Sequence, residues 1–330
     1  MATSSQPKAP QLIYGCGGLG QEIVGEAAVA ELLQTLQESN IARLDTAALY
    51  PPHDIGASQR LLGQMGAVSQ LGFTVDTKVM VSLKTLAGTL EPAKIEKSTA
   101  ESVRDLRLNG EVGRGEKKIN VLYAHGPDVA TPLQDQAAGF DAEYRKGRFD
   151  KLGVCNFPAK MLEEYLDICD REGYVKPSVY QGLYNLIDRR HEGAVLDLVR
   201  RHGMQFVAHS PHAGGFLQGS LTSGRVEGTR FAEGNMMSMD ARRYDTEKHH
   251  AAVRALDELL ARHGGGITKT DVAVRWLAFH SQLKPSDAII FGGSKIAQVK
   301  ATVAAVGQGP LPDDTVAGLN EIWSALSAAY

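Results

Sequence analysis

The sequence predicts an α/β protein, a (β/α)8 TIM barrel with a long loop after strand seven and extra helices before strand eight and at the C-terminus. Three observations lead there. Eight short apolar runs alternate with stretches of helical periodicity. The alternation continues at even spacing almost to the C-terminus, with no Pro/Gly/Ser-rich linker to divide the chain. The length, 330 residues, suits one such barrel. A doubly wound dinucleotide-binding domain would instead need six strands and a separate catalytic domain.

In chain order, residues 1–10 (MATSSQPKAP) are polar and lack an apolar signal core, so they are expected as a disordered N-terminal tail, with residues 11–330 as a single barrel domain. Strand candidates are 12–17, 41–46, 73–79 (FTVDTKV), 119–125 (INVLYAH), 149–155 (FDKLGVC), 178–183 (SVYQGL), 205–210 (QFVAHS) and 287–292 (DAIIFG). Between them AVAELLQTLQES, KIEKSTAESVRDLRL, KMLEEYLDICDREG and EGAVLDLVRRHG carry apolar residues at three-and-four spacing, and two of them end at or near Gly. Residues 211–245 are Gly-rich and hardly periodic. They follow strand seven on the face where barrel active sites sit, which predicts a covering loop. Helices are expected near 246–263 and 270–281, before strand eight, and near 313–328.

Composition narrows the function classes. Hydrophobic residues make up 43% of the chain, enough for a sizeable core, and the net charge is −3 with no strongly basic segment. That excludes nucleic acid as the main partner, since neutralising phosphates requires clustered Lys and Arg. The apolar runs fall far short of the ~20 residues that span a bilayer. Cys16, Cys155 and Cys169 show no CxxC or metal spacing, and an odd, unpatterned set suits the reducing cytoplasm. His249 and His250 are adjacent, do not share a helical face, and predict no metal site.

The chemistry-bearing residues sit where predicted strands end. Strand two ends at Asp45 with Tyr50 in the loop beyond, strand three at Lys78, strand four at His125, so a barrel brings all four to one rim. A free phenol, with a pKa near 10, transfers protons slowly at neutral pH. A neighbouring ammonium favours the phenolate, a carboxylate holds the ammonium, and a histidine can orient a carbonyl oxygen. A hydride from a nicotinamide would complete a carbonyl reduction.

DTAALY, the Lys in DTKV and LYAHGPD together resemble the aldo-keto reductases, (β/α)8 barrels that reduce aldehydes and ketones with NADPH. The resemblance covers roughly residues 11–325 and extends to GASQRLLG, KLGVCNFP, SVYQGLYN, VAHSPHAGGFLQG and IIFGGSKIAQV. HGPDVATPL, PSVYQGLYN and TRFAEGNMM…RRYDTEKHH are similar to the aflatoxin-aldehyde reductase branch in particular.

The resemblance implies that Tyr50 is the proton donor, that Lys78 lowers its pKa, that Asp45 pairs with Lys78, and that His125 positions the substrate carbonyl. It implies that Asn156 and Gln181 bind the nicotinamide carboxamide; a hydrogen bond across the barrel interior is the alternative for Gln181. Cys16 and Gly17 would meet the cofactor ring through backbone. Ser210, Pro211, Gly214, Gly215, Leu217 and Ser220 would cover the pyrophosphate. After strand eight, the Gly292 turn lets backbone approach, with Ser294 and Lys295 meeting the 2′-phosphate and Gln298 and Thr302 nearer the adenosine; a cation there favours NADPH over NADH. Two positions depart from the family: Cys155 stands where Ser is usual, and His209 stands where a Tyr or Phe usually stacks on the nicotinamide. Both belong to the expected cofactor set. Substrate-loop candidates are Arg230, Met236, Met237, Arg243 and Tyr244. The tail NEIWSALSAAY has no Arg and offers Trp323 as an apolar wall.

Two other readings remain open at this level. The chain could be an NADPH-binding regulatory protein with slow turnover, like the channel-associated β-subunits of the same superfamily. A homodimer is also left open. Finally, GCGGLG (15–20) meets the spacing of a Rossmann fingerprint, with an apolar run before, a helical pattern after and Asp45 downstream. A barrel makes it the end of strand one, with the phosphate site expected at GGSK.

Overall fold

A computed structural model describes residues 7–328 apart from 83, 84, 86, 109–116, 234–240, 264 and 265. Eight parallel strands close into a barrel in chain order, β1 pairing with both β2 and β8. The strands are β1 (Gln11–Gly15), β2 (Arg43–Asp45), β3 (Thr74–Lys78), β4 (Ile119–Ala124), β5 (Phe149–Cys155), β6 (Pro177–Leu183), β7 (Gln205–His209) and β8 (Ala288–Phe291). Each falls on or within about one residue of a predicted run. Closure leaves no open crevice of the doubly wound kind, so GCGGLG is not a phosphate-cradling turn. Its first glycine ends β1 and the next three residues form a short 3-10 turn.

The surrounding helices are α1 (Glu26–Glu38), α2 (Ala57–Gln64), α3 (Pro92–Asp105), α4 (Leu133–Arg145), α5 (Ala159–Glu172), α6 (Ala194–Arg201), α7 (Glu247–Arg262), α8 (Lys269–Phe279), α9 (Ile296–Gly307) and α10 (Asp313–Ser327). The expected extra helices are α7 and α8 before β8, and α10 at the C-terminus. Thr268 and Asp271 form a reciprocal capping box at the start of α8. The sequence pattern did not single out α2 or α4. α2 is short, and Ser58 and Gln59 are buried in it; α4 buries Gln136, Asp141 and Glu143. Polar residues on the buried face erase the apolar stripe that periodicity reads.

Side chains alternate in and out along each strand. Those facing outward pack under the helices. Ile13, Val121, Tyr123, Cys155, Val179, Val207, Ala288 and Ile290 form a separate cluster inside the barrel. Room for the Tyr123 ring comes from Gly153, where a Cβ would approach it to 2.3 Å. The barrel interior is thus filled, and its chemistry is confined to the two ends.

Candidate active site

Parallel strands present their C-terminal ends to one rim. Asp45 closes β2, Lys78 closes β3, His125 follows the last residue of β4, and Tyr50 stands in the loop between β2 and α2. The structure brings the four predicted residues together. Lys78 Nζ donates to Asp45 Oδ2 at 2.6 Å and to the Thr46 carbonyl at 2.9 Å. The ammonium lies 5.1 Å from the Tyr50 ring centroid. The Tyr50 hydroxyl is 3.5 Å from His125 Nε2, with the two rings edge to face.

Both members of the ion pair are almost wholly buried. Burial opposes the Lys78 charge, but Asp45, with smaller help from Tyr50 and Cys155, outweighs it and raises the lysine above its usual range. His125 moves the other way: burial first, then Lys78 and His209, push it down to about 3. It is therefore a neutral imidazole at physiological pH. Its Nδ1 is buried with no partner among the described residues. A bare ring nitrogen costs less there than an orphaned N–H, which puts the proton on Nε2, toward Tyr50.

Gln181 makes the hydrogen bond across the barrel interior that the sequence left as its alternative. Its Nε2 donates to Asp45 Oδ1 at 2.9 Å, so it crosses the interior and locks the second carboxylate oxygen. Asn156 follows β5 in a left-handed conformation (φ 55°) and its Oδ1 accepts the Leu183 N–H. Ser210 is also left-handed (φ 58°), with Oγ 3.0 Å from Nδ1 of His209. Non-glycine residues in this region carry strain and gather where function fixes the backbone; here they follow β5 and β7 at the same rim. Burial, then Lys78 and His191, push His209 down to about 3.

The remaining cofactor candidates lie in three places. Cys16 is buried, and its carbonyl accepts the Ser58 hydroxyl at 2.9 Å; a Cβ on Gly17 would sit 3.8 Å from the Tyr50 ring. After β7, Pro211 and Leu217 are buried, and the chain winds through Gly214 (φ 65°) and Gly215 (φ 94°), a path glycine alone follows without strain. Ser220 is half-buried beyond them. After β8, Gly292 is exposed, Ser294 donates both N–H and Oγ–H to Gln298 Oε1, and Lys295 caps α9 with its side chain exposed. Thr302, expected nearer the adenosine, is 2% exposed in α9, a packing position.

The substrate candidates fare differently. Arg230 makes a two-pronged ion pair with Glu22, both contacts 2.8 Å, tying the loop after β7 to the loop after β1. Its charge is committed to a carboxylate of the chain itself. Tyr244 is 2% exposed; Asn185 Nδ2 donates to its hydroxyl at 3.2 Å, which in turn faces Asp188 Oδ2 at 3.5 Å. The ring is thus packed beneath the loop, with its hydroxyl tied into this network. Trp323 lies 4.8 Å from the Arg189 guanidinium, which also stacks on Trp276 at 4.1 Å. Arg243 is exposed, while Met236 and Met237 lie outside the described residues.

The sequence reading missed the floor below this site. Arg43 Nε donates to Asp76 Oδ2 at 2.8 Å inside the barrel. The signal was present as opposite charges two residues apart: Arg43 and Asp45 in RLD, Asp76 and Lys78 in DTK. On a strand that spacing puts both on one face.

Beside this buried lysine–aspartate pair, tyrosine and histidine on one barrel rim stand the comparisons with known proteins, which give the family of the whole chain. The aldo/keto reductase family profile matches residues 11–324. The chain belongs to the aldo/keto reductase family. It is 28% identical to mouse aflatoxin B1 aldehyde reductase member 2, covering 99% of this chain and 88% of the relative. It is 28% identical to human aldo-keto reductase family 7 member A3 (95% and 94%) and 29% identical to an aldo-keto reductase of Pseudocercospora fijiensis (89% and 97%). Aldo-keto reductases act on small carbonyl compounds and generally use NAD(P)H. Among the described residues no helix is long and apolar enough to cross a membrane.

Proposed function

We propose that this aldo-keto reductase reduces an aldehyde or ketone to an alcohol with NADPH, Tyr50 donating the proton. The observation that carries the reading is the buried Lys78–Asp45 pair set 5.1 Å from the Tyr50 ring, with His125 held neutral beside the hydroxyl. When bound, NADPH supplies the hydride to the carbonyl carbon. His125 Nε2–H orients the carbonyl oxygen, Tyr50 protonates it, and Lys78 stabilises the phenolate left behind. Asp45, held by Gln181, keeps Lys78 in place and charged.

The residues present fit such a cofactor. The two left-handed glycines after β7 and the exposed Lys295 at the start of α9 offer backbone and a cation to phosphate groups. Lys295 is the reason to prefer NADPH to NADH. Asn156, Ser210 and His209 stand at the rim where a nicotinamide would lie. A binding protein with slow turnover is the second reading. It is favoured by Gln181, whose amide nitrogen is engaged by Asp45, and by Cys155 and His209 at their departing positions.

The test is NADPH oxidation, followed by absorbance, against a panel of aromatic and aliphatic aldehydes. Steady turnover supports the reductase; tight NADPH binding without turnover on any carbonyl supports the second reading.

A further inference from the structure

The inside of this barrel holds two ion pairs stacked on the same two strands. The upper one, Lys78–Asp45, faces Tyr50. The lower one, Arg43–Asp76, lies one storey beneath, about 6.6 Å along β2 and β3 at the strand rise. The order of charges reverses between them. Arg43 precedes Asp45 on β2 and Asp76 precedes Lys78 on β3, so the two carboxylates are directly paired in the β2–β3 register.

The lower pair is built, not incidental. Asp76 is 0% exposed. Its Oδ2 accepts Arg43 Nε at 2.8 Å and its Oδ1 accepts Asn120 Nδ2 at 2.6 Å. Arg43 Nη1 reaches the Gln11 and Gln205 amide oxygens at 3.4 and 3.3 Å. Five strands, β1, β2, β3, β4 and β7, thus contribute to one network. No step of the proposed reaction uses it.

Its effect on the reaction follows from what else faces the upper pair. Beside the end of β1 lies the Cys16 thiol; β4 contributes Tyr123, with His125 just beyond its end, β5 contributes Cys155, β6 contributes Gln181 and β7 contributes His209, while the β8 interior is apolar Ala288 and Ile290. Burial raises Cys16, Cys155 and Tyr123 and keeps them neutral. Burial and Lys78 keep His125 and His209 neutral. Among the described residues inside the barrel, the charges near Tyr50 at neutral pH are therefore these four. Burial lifts Asp76 to about 6 against the pull of Arg43, so it is mostly ionised at neutral pH.

We propose that Arg43 and Asp76 are positioning residues for the reduction, and that Asp76 keeps the permanent Arg43 charge from acting on the Lys78–Tyr50 proton donor above it. This rests on the reading of Tyr50 as that donor. The pair differs from a plain structural brace in one respect. Arginine cannot shed its charge, whereas a buried aspartate stripped of its arginine takes up a proton. Removing the two partners therefore has unequal electrostatic consequences.

The experiment is the pH profile of kcat/KM for reduction of benzaldehyde with NADPH. With Asp76→Asn, nearly isosteric, Arg43 stands uncompensated and favours the Tyr50 phenolate. The alkaline limb then moves to lower pH by on the order of one unit. In Arg43→Gln the freed Asp76 protonates, and in Arg43→Gln/Asp76→Asn both charges are gone; both limbs return to within a few tenths of wild type. Asp76→Ser makes the same charge change, should Asp76→Asn not fold. Coincidence of the Asp76→Asn and wild-type limbs overturns the proposal, as does a shift that persists in the double variant. Tyr50→Phe separates the two readings: full activity there removes the donor assignment, while an inactive Tyr50→Phe with an unmoved Asp76→Asn limb removes only this inference.

Discussion

Two lysine- or arginine-to-aspartate pairs occupy the two ends of one barrel, and only one of them has the means to do chemistry. Both are buried and both make a short contact, 2.6 Å above and 2.8 Å below. Above, Lys78 looks onto a phenol and a neutral imidazole at the rim. Below, Arg43 and Asp76 are enclosed by amides from Gln11, Gln205 and Asn120, which can fix charge but not move protons at neutral pH. Burial of an ion pair is thus common to support and catalysis; the identity of the next group outward distinguishes them. Removing one member of a buried pair is costly in either place, since the partner left behind stays charged or must take up a proton.

Breaking the upper pair should have the largest effect. Lys78→Met is expected to lower kcat/KM about 100-fold or more, in the range for loss of proton-transfer assistance, with NADPH affinity by fluorescence titration little changed. Equal loss of affinity would mean that the lysine serves binding. Next comes Gly153→Ala, which presses on Tyr123, the ring beneath the upper pair. A Cβ 2.3 Å from that ring forces repacking, at a cost of about 1–3 kcal/mol or more in urea unfolding. Unchanged stability would show that the interior is looser than described. At Lys295, away from both pairs, Lys295→Ala should weaken NADPH binding about tenfold and leave NADH binding alone, as loss of one charge-assisted contact would. Equal weakening of both would remove the argument for NADPH.

The smallest effect concerns pH and sharpens the contrast between groups held neutral and groups held charged. His125 and His209 are depressed to about 3, and His191 and His212 to about 4. Each binds its proton less readily folded than unfolded. Their contribution is present above the unfolded value near 6.5 and is lost as pH falls through the window down to about 3 or 4. Asp76, raised to about 6, works in the opposite direction between about 4 and 6. Four histidines outweigh one aspartate, so the thermal midpoint should fall between pH 7 and pH 5. At the same time His125, already neutral, should produce no acidic limb near pH 6.5 in kcat/KM.

The strands and the four rim residues were legible in the sequence because hydrophobic runs and their terminal polar residues lie close together in the chain. What was not legible depended on contacts between distant segments. Gln181 reaches Asp45 across 136 residues of sequence, and Arg230 reaches Glu22 across 208. No spacing rule links them. α4 escaped notice because Gln136, Asp141 and Glu143 face inward, bonded to partners such as the Asp128 carbonyl, Val175 N–H and Lys146. GCGGLG shows the converse, a local signal that only the rest of the chain overrules. It satisfied a local pattern whose meaning depends on whether the sheet is open or closed.

The most direct test of the account is kcat/KM for aldehyde reduction by Tyr50→Phe beside the wild type, with NADPH affinity measured on the same protein. The phenyl ring keeps the edge-to-face contact with His125 and loses only the hydroxyl. The account predicts a fall of roughly 100- to 10,000-fold with NADPH affinity intact. Wild-type turnover in that variant would contradict it.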